Sequence, residues 1–273
     1  MKLFKKNSVK NINTDELRKK SVLSEDTSFA IKEAYNSVRT NIMFSLPNDD
    51  KCKVIIITSA SPGEGKTTTA VNISITLALA GSKVLLIDAD MRKPKVHVYM
   101  ETKNKTGLSG ILSNFTSLKD VVNHSSKYYL DFITSGVIPP NPTELLSSDE
   151  AQKTINGLKQ HYDYIIIDTP PVNVVTDAVT LSKLADGLII VTRQNITTHE
   201  SIARAISNLE FADAKILGFI LNDSKKEAYY KRNYYKKNYG YGYYGYGYGY
   251  GYGYGYGYGR TGERKPINHH EGE

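Results

Sequence analysis

Short aliphatic runs recur along the chain at 54–58 (VIIIT), 83–90 (KVLLIDAD), 129–135 (YLDFITS), 162–168 (YDYIIID), 187–192 (GLIIVT) and 215–221 (KILGFIL). They are apolar throughout rather than alternating with polar residues, the pattern of strands covered on both faces. Helical stretches near 149–160, 177–185 and 198–211 separate the later ones. Strands that alternate with helices predict an α/β domain whose mostly parallel central sheet is flanked by helices. A further helix is predicted from about Ser28, where FAIKEAYNSVRTNIMFS places Ile31, Ala34, Val38, Ile42 and Met43 close to a helical period. Another runs from Lys66 to about Ala80 and stops before Gly81, a natural C-terminal cap.

Two segments break this pattern. Residues 1–28 are polar and Lys-rich without sustained periodicity, and read as a flexible basic arm. After Asp223 aliphatic residues all but vanish, and residues 239–259 are eleven Tyr and ten Gly. Such a stretch cannot bury enough apolar surface to offset its ordering entropy, so it is expected to be disordered. The organisation predicted is an arm (1–28), one α/β domain (29–223) and a tyrosine-cluster tail (224–273).

Composition narrows the function. A chain of 273 residues, 40% hydrophobic and 23% charged, suits one globular domain with appendages. No run approaches the ~20 apolar residues of a bilayer-spanning helix. No apolar stretch follows the basic start MKLFKKNSVKNINT, so no secretory signal is expected and the expected compartment is cytoplasmic. The lone Cys52 can form neither an internal disulfide nor a metal cluster. The net charge of +7 sits at the ends: residues 1–30 hold seven Lys/Arg against four Asp/Glu, and residues 224–273 hold nine against four. The body between them is nearly neutral, whereas a nucleic-acid-binding domain would carry a basic face; no nucleic acid is expected as a partner.

The first strand run leads into SASPGEGKTTT, in which Gly65-Lys66-Thr67 matches the end of the P-loop pattern GxxxxGK[ST], with Ala60 where the first Gly would stand. In such a loop successive backbone N–H groups point inward, Gly63 and Gly65 let the backbone close around a phosphate, and the following helix presents its positive end. Lys66 supplies a point charge for the β- and γ-phosphate oxygens and Thr67 a hydroxyl for Mg²⁺. Ser61, Pro62, Gly63, Glu64, Gly65, Lys66, Thr67 and Thr68 are therefore the expected nucleotide-binding residues. The domain predicted is a single P-loop NTPase. Asp168 ends YDYIIID and is followed by Thr-Pro-Pro, so its carboxylate faces the crevice at the carboxyl end of a parallel strand. Asp88 and Asp90 end KVLLIDAD, and alternation puts both on one side of the strand. Asp90 has an ordinary alternative, pairing with Arg92 or Lys93 or capping the next segment. Arg92 reads equally as a phosphate contact or the partner of a strand-end carboxylate, and Tyr35 and Tyr99 read as packing residues.

Together SASPGEGKTTTA, LLIDADMRKP, YIIIDTPP, PPNPTELLSS (139–148), DAVTLSKLADGLIIV (177–191) and the terminal tyrosine cluster resemble the bacterial tyrosine kinase (BY-kinase) family of capsular and exopolysaccharide biosynthesis, in its Gram-positive cytoplasmic form. The resemblance implies ATP and Mg²⁺ as cofactors, with Lys66, Asp88 and Asp90 catalytic and Thr67, Asp90 and Asp168 at the metal. Asp88 would be the base for a tyrosine hydroxyl, with Asp88 and Asp90 able to exchange roles. It implies autophosphorylation of the tail at Tyr239, Tyr241, Tyr243, Tyr244, Tyr246, Tyr248, Tyr250, Tyr252, Tyr254, Tyr256 and Tyr258, in trans within a ring of subunits. The implied partners are a membrane activator or adaptor of the polysaccharide copolymerase type, which would hold the kinase peripherally at the membrane, and a cognate protein-tyrosine phosphatase. The ring-forming ExxRxxR helix of the family is matched by Glu33 and Arg39, but Asn36 replaces its first Arg.

Two other readings compete. A MinD/ParA-like partitioning ATPase shares the P-loop but carries an early second lysine, where this chain has Ser61. A low-complexity interaction module would explain the Tyr/Gly tail and leave the P-loop without a purpose. His269 and His270, in the polar tail, read as inert.

Overall fold

The computed structural model describes residues 14–224 except 48 and 50. The strands among them are β1 (Lys53–Ser59), β2 (Val84–Asp88), β3 (Asn123–Ser125), β4 (Leu130–Ile133), β5 (Tyr164–Asp168), β6 (Gly187–Arg193) and β7 (Ile216–Asn222). The helices are α1 (Thr14–Lys20), α2 (Phe29–Ser45), α3 (Lys66–Leu79), α4 (Val96–Tyr99), α5 (Leu108–Leu112), α6 (Pro142–Leu146), α7 (Asp149–Leu158), α8 (Asp177–Ser182) and α9 (His199–Glu210). The strands form one sheet in the order β3-β4-β2-β5-β1-β6-β7, parallel throughout except for the short β3.

Alternate residues of the central strands feed two cores. Val54, Ile56, Leu85, Ile87, Ile165, Ile167, Leu188 and Ile190 pack on one face, against the residues of α5 to α9. Ile55, Ile57, Val84, Leu86, Ile166, Ile189 and Val191 pack on the other, with Ile42 of α2 and the apolar residues of α3. Each wholly buried aliphatic side chain of this kind is worth about 1.5–3 kcal/mol, and β1 has four in succession, Val54 to Ile57. Burial on both faces is why these strands carry no alternation. The edge strand β7 departs from that expectation: its positions are half-buried or exposed, with Phe219 and Leu221 open to solvent. Helix starts follow local chemistry, Ser148 capping α7 through the Ala151 N–H and Thr198 capping α9 through the Ser201 N–H. Such caps contribute about 1 kcal/mol each.

The predicted arm is corrected from Thr14 onward. Residues 14–20 form α1, and Val22 and Leu23 are buried. Asn72 in the middle of α3 accepts the Leu23 N–H at 2.9 Å and donates to the Ser21 carbonyl at 3.0 Å, so a backbone with no regular partner is satisfied by one side chain. One apolar pair and one distant Asn hold this segment, which leaves no periodicity to read. Residues 1–13 and the tail, with its eleven clustered tyrosines, His269 and His270, lie outside the described residues. Among the described residues no helix is long and apolar enough to cross a membrane.

Half-burial at the head of β1 pushes the Cys52 thiol up to about 11. At pH 8 the thiolate fraction is then about two orders of magnitude below that of an ordinary cysteine. Iodoacetamide labelling at pH 8, followed by intact mass, is expected to be about 100-fold slower in buffer than in denaturing urea. Equal rates would refute the buried assignment.

Candidate active site

The sheet order decides where the site lies. β5 stands between β1 and β2, with Asp88 in register with Asp168 and Ile57 also opposite Asp168. The chain leaves β1 through 60–65, and α3 begins at Lys66 beside the carboxyl ends of these strands. Gly65 caps α3 at φ 93°, in the left-handed region, where a side chain is disfavoured.

Lys66, Thr67, Asp90 and Asp168 converge as expected. Lys66 Nζ lies 2.8 Å from Asp90 Oδ2, 3.5 Å from Asp168 Oδ1 and 3.3 Å from Thr67 Oγ1. Thr67 Oγ1 donates to Asp168 Oδ2 at 2.7 Å. Asp88, wholly buried, accepts the backbone N–H groups of Lys95 and Val96 on Oδ2 at 3.0 and 2.9 Å, and that of Asp90 on Oδ1 at 3.2 Å. The two readings of Asp90 are both realised: Oδ1 caps the next segment through the Lys93 N–H at 3.0 Å, and Oδ2 faces Lys66.

Three buried carboxylates share one ammonium, that of Lys66, whose side chain is 12% exposed. Burial, and then Asp168, push the Asp88 carboxyl up to about 8; burial pushes Asp168 up to about 6 against the pull of Lys66. Burial favours a neutral Lys66, but Asp168 and Asp90 outweigh it and hold the amine above its ordinary value. Asp168 Oδ1 is buried and accepts no hydrogen bond. An excess of buried carboxylate charge with an unused carboxylate oxygen fits a divalent cation, which would be held by oxygen ligands of the kind Thr67, Asp90 and Asp168 offer.

Of the eight expected nucleotide-binding residues, Ser61, Glu64 and Thr68 turn side-chain polar groups to partners within the protein. The Glu64 carboxylate is buried and accepts the Ser61 N–H at 2.8 Å and the Thr197 hydroxyl at 2.5 Å. Ser61 Oγ shares a hydrogen bond with Ser201 Oγ at 3.1 Å. Gly63 and Pro62 are exposed, and Thr68 shares a hydrogen bond with Tyr99 OH at 2.7 Å, so Tyr99 braces the loop helix as well as packing. Tyr35 similarly accepts from Asn72 at 3.2 Å.

A clamp around the loop was not anticipated. Arg193 at the end of β6 donates to the Gly63 carbonyl at 3.1 Å and pairs with Asp223 at 3.0 Å, while Asn222 at the end of β7 donates to the Glu64 carbonyl at 3.0 Å. The strand-end argument that found Asp88 and Asp168 applies equally to Asn222 and Asp223. Arg92 reaches neither a phosphate position nor a strand-end carboxylate: it pairs with Asp177 at the start of α8 at 3.2 Å and donates to Thr143 at 2.9 Å. Glu33 and Arg39, expected at a subunit contact, lie on α2, where Asn36 donates to Glu33 at 2.8 Å and Arg39 donates to the Thr76 carbonyl at 3.2 Å.

A family model described as an AAA domain matches residues 52–217. The tyrosine-protein kinase YwqD of Bacillus subtilis is 43% identical over 203 residues, covering 74% of this chain and 85% of its own. The chain belongs to the bacterial tyrosine-protein kinases. The putative tyrosine-protein kinase CapB of Staphylococcus aureus is 36% identical over 221 residues, 78% of this chain and 96% of its own. Among solved structures, the kinase domain of the Escherichia coli tyrosine kinase ETK aligns with a TM-score of 0.68 at 34% identity, covering 70% of this chain and 74% of that one. Membership in the tyrosine-protein kinases decides between the kinase and the partitioning-ATPase readings of the same loop.

The clamp makes a kinase-loop glycine testable. A Cβ on Gly65 would lie 1.9 Å from Asn222 Nδ2. Gly65→Ala is expected to cost about 1–3 kcal/mol of stability, measured by urea unfolding, and to abolish nucleotide binding. Adding Asn222→Ala is expected to recover only part, because the positive φ remains; full recovery would show that the contact alone required glycine.

Proposed function

We propose that this chain transfers the γ-phosphoryl group of ATP to tyrosine hydroxyls, those of its own C-terminal cluster first among them. The observation that carries the reading is the meeting of Lys66, Asp88, Asp90 and Asp168 at the mouth of a P-loop. Lys66 and the loop amides bind the phosphates and neutralise charge as it develops on them. Asp88 is held rigidly by three backbone amides, and its Oδ1 accepts only one long bond, leaving a lone pair for the phenol proton. The phenol oxygen bonds to the γ-phosphorus as the bond to the β,γ-bridging oxygen breaks; the phenol proton passes to Asp88 in its ionised form, the smaller fraction at neutral pH for a carboxyl held near 8, and ADP departs. Asp90 is the alternative acceptor. Thr67, Asp90 and Asp168 would hold Mg²⁺, which would supply positive charge to the phosphates. Phenol ionises near pH 10, so a carboxylate base beside a cationic pocket is what lets it compete with water.

The finer reading follows the resemblance. The kinase acts in trans within an oligomer, a ring in which Glu33 and Arg39 of α2 contribute the contact. Asn36 and the Thr76 carbonyl already occupy these two side chains within the subunit, so the contact is weaker than two free arginines would make. ATP, Mg²⁺, a membrane activator of the polysaccharide copolymerase type and a cognate phosphatase complete the system, and its output is control of capsular or extracellular polysaccharide synthesis and export. The cytoplasmic kinase would reach the membrane through the activator. Each phosphate adds about −1.5 to −2 charge, so a few modifications reverse the basic character of residues 224–273 and loosen the oligomer by repulsion.

Incubation of the full chain with ATP and Mg²⁺ and blotting for phosphotyrosine is expected to label it. Lys66→Met is expected to abolish the label, and Asp88→Asn to slow labelling by about 10²–10⁴-fold. ATP hydrolysis without phosphotyrosine would replace this reading with the partitioning-ATPase one. For the oligomer, sedimentation at low salt is expected to show smaller species after extensive phosphorylation, and an unchanged species would refute the charge argument.

A further inference from the structure

Two stretches that stand out in the sequence, PPNPTELLSS (139–148) and DAVTLSKLADGLIIV (177–191), contribute none of the residues placed at the phosphate loop or in the carboxylate cluster. They meet on a residue just beyond that cluster. Arg92, two positions after Asp90, lays its guanidinium side-on against Asp177, the first residue of α8: Nε donates to Oδ2 at 3.2 Å and Nη2 to Oδ1 at 3.3 Å. Nη2 also donates to Thr143 Oγ1 of α6 at 2.9 Å, and that hydroxyl donates in turn to Asp177 Oδ1 at 2.6 Å. Three segments far apart in the chain thus close one ring of hydrogen bonds.

Asp177 is wholly buried, and among the described residues its ion-pair partner is Arg92. A buried ion pair adds little stability over well-packed apolar side chains of the same volume. What this one supplies is direction, because a planar guanidinium gripped by a carboxylate and a hydroxyl together cannot turn, whereas a lysine would make only a point contact. The backbone passes that grip to the site. Met91 is buried in the core that holds Leu146 of α6 with Ala178 and Leu181 of α8. The Ala89 N–H bonds to the Asp168 carbonyl at 2.8 Å, and the Lys93 N–H bonds to Asp90 Oδ1 at 3.0 Å. Asp90 therefore stands between a strand anchor at 89 and a side-chain anchor at 92, with its Oδ2 2.8 Å from Lys66. Freeing Arg92 frees Lys93 next to it, and with it one of the two bonds that orient the Asp90 carboxylate.

We propose that Asp177 is a positioning residue for phosphoryl transfer. With Thr143 it holds Arg92, and through Arg92 it fixes Asp90 against Lys66. The phosphate loop is held from the other side, by Arg193, Thr197 and Asn222 at the ends of β6 and β7, so nucleotide affinity is separable from the rate of transfer. This inference rests on the kinase reading of the same site.

The test follows phosphotyrosine formation by the full-length protein over a range of ATP concentrations with Mg²⁺ in excess. Asp177→Asn keeps the side-chain shape but leaves one oxygen for the donors that now share two. It is expected to lower the limiting rate about 10–100-fold, while the half-saturating ATP concentration changes less than about threefold. Thr143→Val and Arg92→Lys are expected to show the same split to a smaller degree, and they decide the matter if Asp177→Asn does not fold. Combining Arg92→Lys with Asp177→Asn is expected to add nothing, since the residues act as a unit. Leu158→Ala, in the same core at the end of α7, is expected to lower the melting temperature and keep the limiting rate wherever it remains folded. Folded variants whose limiting rate stays within about twofold of wild type would overturn the proposal. So would a loss confined to ATP affinity, a loss shared equally by Leu158→Ala, or effects of Arg92→Lys and Asp177→Asn that multiply. Failure of the kinase reading is scored separately, as no phosphotyrosine on the wild type.

Discussion

Asp88 and Asp168 face each other because β2 and β5 pair in register, and both carboxylates are removed from water at that level of the sheet. Bringing a third carboxylate, Asp90, to the same place against the single ammonium of Lys66 is electrostatically costly, since burial and repulsion both disfavour ionisation. The strands beneath are buried on both faces, and their register sets where Asp88 and Asp168 stand. A site where three carboxylates meet one lysine suits a ligand that brings its own cation. Nucleotide binding and structural strain are in this sense the same feature.

The loop owes its shape to partners far away in sequence. Glu64 ties it to Thr197, Arg193 to its Gly63 carbonyl, and Asn222 to its Glu64 carbonyl, so the ends of β6 and β7 hold what β1 delivers. Asn222 also leaves no room for a side chain at Gly65.

Charge is distributed by role. The domain as a whole is nearly neutral, three buried acids meet at the carboxyl ends of β2 and β5, and Lys93, Lys103 and Lys105 of the segment that follows are exposed. Arg92, fixed by Asp177 and Thr143, joins that segment to α6 and α8, so it is set on packed elements rather than on a loose loop.

Much of this was legible in the residues alone, because it depends on local order. Continuous aliphatic runs announce doubly covered strands, the spacing Gly-Glu-Gly-Lys-Thr announces a phosphate loop, and carboxylates that end strands announce a crevice. Each signal lies within about a dozen neighbouring residues. The family resemblance added the expected chemistry, and the convergence of Lys66, Asp90 and Asp168 followed the strand-end argument. What the linear chain did not disclose were contacts between single residues separated by long stretches: Asn72 with the 21–23 segment, Glu64 with Thr197, Arg92 with Asp177, Asn222 with Gly65. Such pairs leave no periodicity, since one hydrogen bond made across the fold needs only one suitable side chain at each end. Only the folded packing, which brings those ends within 3 Å or so of each other, selects them from the many polar residues equally able to serve.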